Sequence, residues 1–386
     1  MIPYGRQHIT QADVDAVIGV LRSDFLTQGP TVPAFEAAVA AACKAQYGVA
    51  LSSATSALHV ACLALGLKAG DRLWTVPNSF VASANCARYC GADVDFVDID
   101  ARTWNMSVPA LAHKLAQARK ANTVPKIVVP VHFSGQPTDQ ETIWDLAQEY
   151  GFKVLEDASH AIGASRSDEP VGSCRWSHAT VFSFHPVKII TTCEGGMVLT
   201  NDKTLAWRMS LLRSHGITRE AAHMTVRTDE GAWYYEQLEL GFNYRMTDVH
   251  AALGLSQLTR LKNYVERRNV LAKRYDQLLE EFPLQRMTVD EKNYSSYHLY
   301  VIRVDVAKAY KSRREVFAAL RQRGIDVNVH YMPIHLQPYY RQLGFESGMF
   351  PESEKHGAEA ITLPLYPELS EAQQDQIVAA LHQSLQ

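Results

Sequence analysis

Apolar stretches recur along the first half of this 386-residue chain, at Tyr47–Leu51, Asp71–Pro77, Asp93–Val97, Pro125–Val131, Gly151–Asp157 and Ala179–Phe184. Segments with helical spacing lie between most of them. Strands that alternate with helices in this way pair in parallel, because a parallel neighbour is reached only through a crossover long enough to hold a helix. The first half therefore predicts a large, mainly parallel sheet with helices on both faces, an α/β/α layering. From about Gln257 the texture changes to a long charged helix, Leu258 to Phe282, a strand, Tyr297–Val304, and helices at Arg313–Arg323 and Gln373–Leu385. This predicts a small α+β domain, with residues 1–256 forming an N-terminal arm and the large domain and residues 257–386 the small one. No repeat, low-complexity tract or linker separates them, so the two should pack directly.

The composition narrows the function classes. At 47% hydrophobic and 20% charged residues the chain has ample material for a large core. A formal charge of -3 with both signs interspersed gives no footprint for nucleic acid or an anionic membrane surface. No apolar run reaches the roughly 18 residues of a membrane span, and Met1–His8 lacks an apolar leader core, so a cytoplasmic setting is expected. The cysteines at 43, 62, 86, 90, 174 and 193 are scattered, with no Cys-x-x-Cys pair, and predict no metal site. Cys86 and Cys90 could share a helix face, though small buried thiols account for them.

Taken in order, Ile9–Leu21 has a cap-like Thr10 and apolar positions at Val14, Val17, Ile18 and Leu21, an amphipathic helix. Phe25–Pro30 is a loop before a helix at Thr31–Ala45, and Thr27 and Gln28 in it are either turn residues or ligand contacts. The strand-to-helix turn at Ser52–His59 aims free N–H groups at one point, a ready anion site to which Thr55 and Ser56 add hydroxyls; a simple N-cap is the alternative. No Walker or G-x-G-x-x-G pattern competes for a phosphate. Phe80, where a strand ends and a helix begins, either stacks on a planar ring or fills the core. Asp157 ends an apolar strand, and a buried carboxylate there implies a positive partner, an arginine or a protonated ring nitrogen. His160 could support that aspartate or lie against a cofactor.

Ser183-Phe-His-Pro-Val-Lys188-Ile-Ile-Thr-Thr-Cys-Glu-Gly195-Gly196 places a lysine among apolar and small residues. A dry ammonium is driven toward the neutral amine, the form that attacks a carbonyl and is held as a Schiff base. Gly195 and Gly196 would let the backbone turn sharply and pass close to whatever the lysine carries. An anion turn near 55, an aromatic at 80, a carboxylate at 157, a serine at 183 and this lysine together predict a pyridoxal phosphate site on Lys188. Strand Met197–Thr200 and a helix spanning Leu205–Leu212 come next, then a long segment read as loop up to Tyr235. Its length suggests a functional segment or one ordered by another chain. Gly241–Asp248 leads into a helix through Leu261, with no evident core role for Asn243 or Arg245.

With Phe25-Leu-Thr-Gln-Gly29, Ser53-Ala-Thr-Ser-Ala-Leu58, Glu156-Asp-Ala-Ser-His160, Ser183–Lys188, Arg213-Ser-His-Gly216 and His330-Tyr-Met-Pro333 in view, the chain resembles the DegT/DnrJ/EryC1/StrS family of sugar-nucleotide aminotransferases over essentially its whole length. The resemblance implies a fold-type-I, aspartate-aminotransferase-like architecture and pyridoxal phosphate held by Lys188 as an internal aldimine. It implies Asp157 on the pyridine nitrogen, Thr55, Ser56 and Ser183 around the phosphate, Phe80 on the ring, and Asn243 reaching the phosphate of the neighbouring subunit in a homodimer. His160 stands where much of the wider family has glutamine. Dehydratases of the family have histidine in place of the lysine, so Lys188 implies amino transfer.

The Ser53–Leu58, Asp157–Ala161 and Phe184–Thr192 stretches are most similar to the pseudaminic-acid branch, which implies L-glutamate as amino donor and a UDP-linked 4-keto sugar as acceptor. A 3-keto or dTDP-linked substrate, or a non-catalytic cofactor-binding role, are the alternatives. Thr27, Gln28, Arg219, Arg245, Tyr331 and His335 are candidates for the substrate side; surface arginines are the plain alternative for the cations.

Overall fold

The computed structural model describes residues 1–226, 231–309 and 311–386. An N-terminal arm, in which Ile2 pairs with Ile325, leads into α1 (Gln11–Leu21) and α2 (Thr31–Ala42). Then come β1 (Tyr47–Leu51), α3 (Ala54–Ala64), β2 (Arg72–Thr75), α4 (Ala82–Tyr89), β3 (Asp93–Phe96), α5 (Val108–Ala121), β4 (Ile127–Val128), α6 (Gln140–Tyr150) and β5 (Lys153–Asp157). A small hairpin, β6 (Ser165–Arg166) and β7 (Glu169–Pro170), precedes β8 (Ala179–Ser183), β9 (Gly196–Thr200) and α7 (Lys203–Leu212). Helices begin where a side chain can cap them: Ser53, Ser107, Asp139 and Asp202 each accept from a first-turn N–H. α5 and α6 stop at the left-handed residues Asn122 and Gly151.

Seven strands form one sheet in the order β1-β9-β8-β5-β4-β2-β3. All run parallel except β9, which is antiparallel to both β1 and β8. The mainly parallel α/β sheet read from the alternation is present, and β8 and β9 are fully buried, as strands covered on both faces must be.

The region after α7 is less open than its sequence suggests. β10 (Ile217–Thr218) pairs with β11 (Glu236–Gln237), and Ala221–His223 form a short 3-10 turn. Residues 227–230 of the expected loop lie outside the described residues. The two helices read through Leu261 and over 258–282 are present with shifted bounds: α8 (Asp248–Leu258) ends, and α9 (Leu261–Leu278) restarts after Arg260. Arg260 lies off the helical line and donates to both oxygens of Asp13 on α1 at 2.6 and 2.7 Å, while Gln257 adds a third bond at 2.9 Å. This corrects the reading of α1. Its buried residue is Asp13, because charge-assisted bonds draw its polar side onto α8, and Val14, Ile18 and Leu21 are left exposed.

The remainder comprises β12 (Leu284–Arg286), β13 (Asn293–Tyr294), β14 (Tyr300–Val304), α10 (Val306–Ala309), α11 (Arg313–Gln322), α12 (Pro338–Arg341), α13 (Pro351–Glu359), β15 (Ala360–Leu363) and α14 (Glu371–Leu385). β12, β14 and β15 form an antiparallel sheet whose core includes Val316, Leu320, Ile377 and Leu381 of α11 and α14. Helix α9 serves two cores: Tyr264 and Val265 pack with the large sheet, and Leu271, Ala272 and Tyr275 with the small one. The division proposed at 256/257 falls in the last turn of α8, whereas core membership changes along α9. Among the described residues no helix is long and apolar enough to cross a membrane, and no cluster of His, Cys, Asp and Glu is set to hold a metal ion.

One buried acid ties the Phe25–Pro30 loop to this frame. Asp248, the first residue of α8, is fully buried and accepts from the N–H groups of Gly29, Thr31 and Val32 at 2.7, 2.8 and 3.1 Å. Asp248→Ala strands these donors and should lower stability by about 2–3 kcal/mol, read as a shift of the urea midpoint. A loss below about 0.5 kcal/mol would show the loop to be held by something else.

Candidate active site

The C-terminal ends of the parallel strands meet in one cavity of about 470 Å³, within the usual size of small-molecule sites. Asp157, at the end of β5, is buried there. Its Oδ2 accepts from Ser83 Oγ at 2.6 Å, and its Oδ1 from Ser159 Oγ at 2.6 Å and Ser159 N at 3.1 Å. Among the described residues no arginine pairs with it. Its neighbour Glu156 has an unrelated set of partners, Thr180, Ser177, Gln140 and His132. Burial pushes the Glu156 carboxyl up, but His132 and the hydroxyl and amide donors outweigh that and hold it below the usual range.

Lys188 follows β8 and lines the same cavity. Its remaining surface opens onto the cavity, while the residue lies deep in the protein. Burial drives its ammonium from 10.5 down to about 8, against the opposing pull of Asp157. Four histidines line the cavity around the pair, His160, His185, His298 and His330. Burial first, then Lys188, holds His160 well below its ordinary value and His330 down to about 3; burial and then His160 do the same for His298. These last three are therefore neutral near pH 7, and Lys188 is the sole lysine or arginine among the lining residues.

The anion turn faces this group from the start of α3. Ser53, Ala54 and Thr55 line the cavity beside Ser183. Ser56 does not: its hydroxyl donates to Ser53 O at 2.7 Å and accepts from Ser53 N at 3.0 Å, closing a capping box. The expected phosphate role of Ser56 is thus corrected to a helix cap, with Ser53 beside the turn in its place. The glycine reading also changes. A Cβ on Gly196 would sit 2.5 Å from Ala54 N and Ser53 O, so this glycine lets β9 pass beneath the anion turn rather than beside the lysine.

Phe80 stands at the rim, 58% exposed, with its ring 6.4 Å from that of Tyr331. Tyr331 and His160 line the cavity as well. His335 does not: it is fully buried, bonded to Glu354 at 3.0 Å and packed on Phe350, which removes it from the substrate side. Thr27, Gln28 and Arg219 are also absent from the cavity lining. Thr27 bridges to Thr247, and Arg219 lies over Tyr235. Asn243 pairs with Ser214 and Arg245 with Leu51, both away from the cavity lining.

Several residues of the site escaped the sequence reading, some lining the cavity and one, Ser83, bonded to Asp157 behind it. Ser83 lies three residues beyond Phe80, a helical spacing that could have flagged it. Tyr4, His298 and Asn328 come from the arm and the last third of the chain, where no local pattern marks them, and His330 opens the His330–Pro333 motif without having been given a role. The whole set fits pyridoxal phosphate. It has an oriented carboxylate for a ring nitrogen, a neutralisable amine, unpaired N–H groups at a helix start with hydroxyls beside them, and a crossing kept open by a glycine.

The model of the DegT/DnrJ/EryC1/StrS aminotransferase family matches residues 7–382. The spore coat polysaccharide biosynthesis protein SpsC of Bacillus subtilis is 37% identical over 383 residues, covering 98% of this chain and 96% of its own. Helicobacter pylori PseC, described as an aminotransferase involved in the biosynthesis of pseudoaminic acid, superimposes with a TM-score of 0.90 at 30% identity, covering 100% of this chain and 99% of that one. The sugar aminotransferase Spr1654 of Streptococcus pneumoniae, described as putative and solved in its PLP form, gives 0.87 at 27% identity, covering 100% and 98%.

The Lys188 amine makes a direct prediction. Capture of added pyridoxal phosphate by the apoprotein, followed by the visible absorbance of the bound cofactor, should rise with pH and reach half its maximal rate near pH 8. Because the folded value lies below the unfolded one, the apoprotein should also gain stability from about pH 8 toward 10.5, a gain that Lys188→Met removes. A capture midpoint at the ordinary lysine value would refute the dry-amine assignment.

Proposed function

The chain belongs to the DegT/DnrJ/EryC1/StrS aminotransferase family, and from that premise we propose that it moves the amino group of L-glutamate to C4 of a UDP-linked 4-keto-6-deoxy-2-acetamido sugar. The product would be UDP-4-amino-4,6-dideoxy-N-acetyl-β-L-altrosamine, made in the cytoplasm for pseudaminic acid biosynthesis. The observation that carries this choice is the full-length likeness to the Helicobacter pylori enzyme, joined to a cavity whose rim is open at Phe80. Amination of another keto-sugar nucleotide is the second reading, favoured by the likeness to a spore coat polysaccharide protein.

Bound in the cavity, pyridoxal phosphate supplies an electron-withdrawing ring that stabilises negative charge at the carbon losing its proton. The chain's residues do the rest. Asp157, fixed by Ser83 and Ser159, holds the positive charge on the ring nitrogen. Ser53, Thr55 and Ser183, with the free N–H groups of α3, would take the phosphate, and Phe80 would lie against the ring. Lys188, its amine made easier to discharge by burial, removes the proton from Cα of glutamate and, in the second half-reaction, delivers one to C4 of the sugar. The neutral histidines add no competing positive charge beside it.

The working unit of this proposal is a homodimer in which Asn243 reaches the phosphate in the neighbouring protomer. Exposed Val14, Ile18, Leu21, Phe25 and Leu26 supply an apolar face for such an association. The cavity lining also lacks a cation for the nucleotide diphosphate, which Arg219 or Arg245 of the second protomer would provide.

With glutamate and the UDP-linked 4-keto sugar, the purified protein should form the 4-amino sugar, identified by NMR, and Lys188→Ala should abolish turnover. Faster turnover of a 3-keto or dTDP-linked sugar would replace this substrate with the second reading. Sharing of sites is tested by mixing Lys188→Ala with Asn243→Ala protomers: hybrids carry one intact site, so roughly a quarter of native activity should return. No recovery above the parent variants would place each site within a single chain.

A further inference from the structure

Ser134 occupies the left-handed region, at φ 62°, and Gly135 follows it at φ 98°. For a non-glycine residue this conformation is costly and persists only where the surroundings dictate it. Here they do. The buried side chain of Asn105 accepts from Phe133 N at 2.9 Å and donates to the carbonyls of Gln136 and Pro137, each at 3.1 Å. Ser134 Oγ donates to Leu299 O at 2.6 Å. The result is a backbone N–H, that of Ser134, aimed at Nδ1 of His160 from 3.3 Å.

A backbone N–H can only donate, so Nδ1 of His160 must be the acceptor. In a neutral imidazole the proton is then on Nε2. Burial, with Lys188 and His330 nearby, keeps His160 neutral. Nε2 lies 3.1 Å from the hydroxyl oxygen of Tyr331, and with its proton fixed there it must donate to that oxygen. The Tyr331 hydroxyl is thereby left with its own proton and, among the described residues, no other partner for it. Burial and then Asp157 raise its ionisation well above the ordinary tyrosine value, so it stays a donor. Tyr331 is itself positioned from its main chain, where its N–H donates to Asn78 at 3.3 Å.

We propose that Tyr331 donates a hydrogen bond to an oxygen bound in the cavity near Asp157, and that Ser134, acting through His160, sets the direction of that bond. Tyr331 touches the bound molecule; His160 and Ser134 are positioning residues. The inference rests on the cofactor reading of this cavity. Its acceptor is an oxygen with a free lone pair, either the phenolic oxygen of pyridoxal phosphate or the keto oxygen of the sugar.

The test uses holoenzyme carrying Tyr331→Phe, His160→Gln or His160→Leu. If the acceptor is the cofactor, Tyr331→Phe raises the midpoint pH of the bound cofactor's visible absorbance by about one unit and leaves KM for the keto sugar in place. If the acceptor is the sugar, the midpoint stays and KM for the keto sugar rises about tenfold, with the glutamate half-reaction unchanged. Glutamine can accept from Ser134 with its carbonyl and donate to Tyr331 with its amide, so His160→Gln should follow the native enzyme and His160→Leu should follow Tyr331→Phe. Two results overturn the proposal: Tyr331→Phe moving neither quantity, or His160→Gln proving as damaging as His160→Leu. Failure of the unaltered protein to bind pyridoxal phosphate, or to accept an amino group from glutamate, would instead count against the cofactor reading.

Discussion

A carboxylate and an amine share one buried cavity without cancelling each other, and the rest of the site follows from that. Had Asp157 and Lys188 simply formed an ion pair, neither would be left for a ligand. Three hydrogen bonds from Ser83 and Ser159 occupy the carboxylate and fix its plane, so it is satisfied without borrowing the lysine proton. Burial alone brings the amine down to about 8, within reach of the neutral form, since nearby Asp157 pulls the other way. The cost of a dry lysine is lowered by having no second cation beside it. Lys188 is the sole lysine or arginine in the lining, and the imidazoles of His160, His298 and His330 stay neutral, where a charged one would oppose any positive ring nitrogen brought in with a ligand.

The sheet topology determines which side chains can meet there. Parallel strands present all their C-terminal ends on one edge, which gathers the β1–α3 turn, Phe80, Asp157 and Ser183 from across the first half of the chain. The single antiparallel strand matters as much. β9 returns between β8 and β1 and passes directly beneath Ser53 and Ala54, which only a residue without a Cβ allows. Gly196 therefore couples the lysine-bearing connection to the anion turn: the same reversal that delivers Lys188 sets the height of the phosphate cradle.

Local chemistry was legible in the sequence, and long-range geometry was not. Caps, strand runs and an out-of-place lysine announce themselves within a few residues, and Thr55, Asp157, Ser183 and Lys188 all line the cavity. Ser56 was misjudged because a hydroxyl at the third helical position can face a ligand or close a capping box, and sequence does not distinguish these. The apolar stripe of α1 pointed outward because a buried Asp13–Arg260 pair, joining residues 247 apart, chose the opposite side. His335 lies two residues beyond the His330–Pro333 motif that reaches the cavity at Tyr331, yet its ring is turned into the core against Phe96 and Phe350.

The wall formed by Tyr4, Asn328, His330 and Tyr331 belongs to segments that owe their placement to the small sheet. Ile2 is paired with Ile325, Tyr4 O accepts from Leu365 N at 3.1 Å, and Asn328 is bridged to Thr362 of β15. The cofactor half of the cavity is thus built by the large sheet, and the facing half by an antiparallel sheet whose core is separate. Helix α9 contributes to both cores, so it is the element through which the two halves keep their spacing. Such a division lets the facing wall vary in shape and polarity without disturbing the carboxylate and amine opposite, because among the described residues the bonds to the Asp157 carboxylate come from α4 and its own turn. The shape of the facing wall and the chemistry at Lys188 can then change independently, with His160, bonded to Tyr331 on the facing wall and to Ser134 beside the large sheet, as one direct polar link between them.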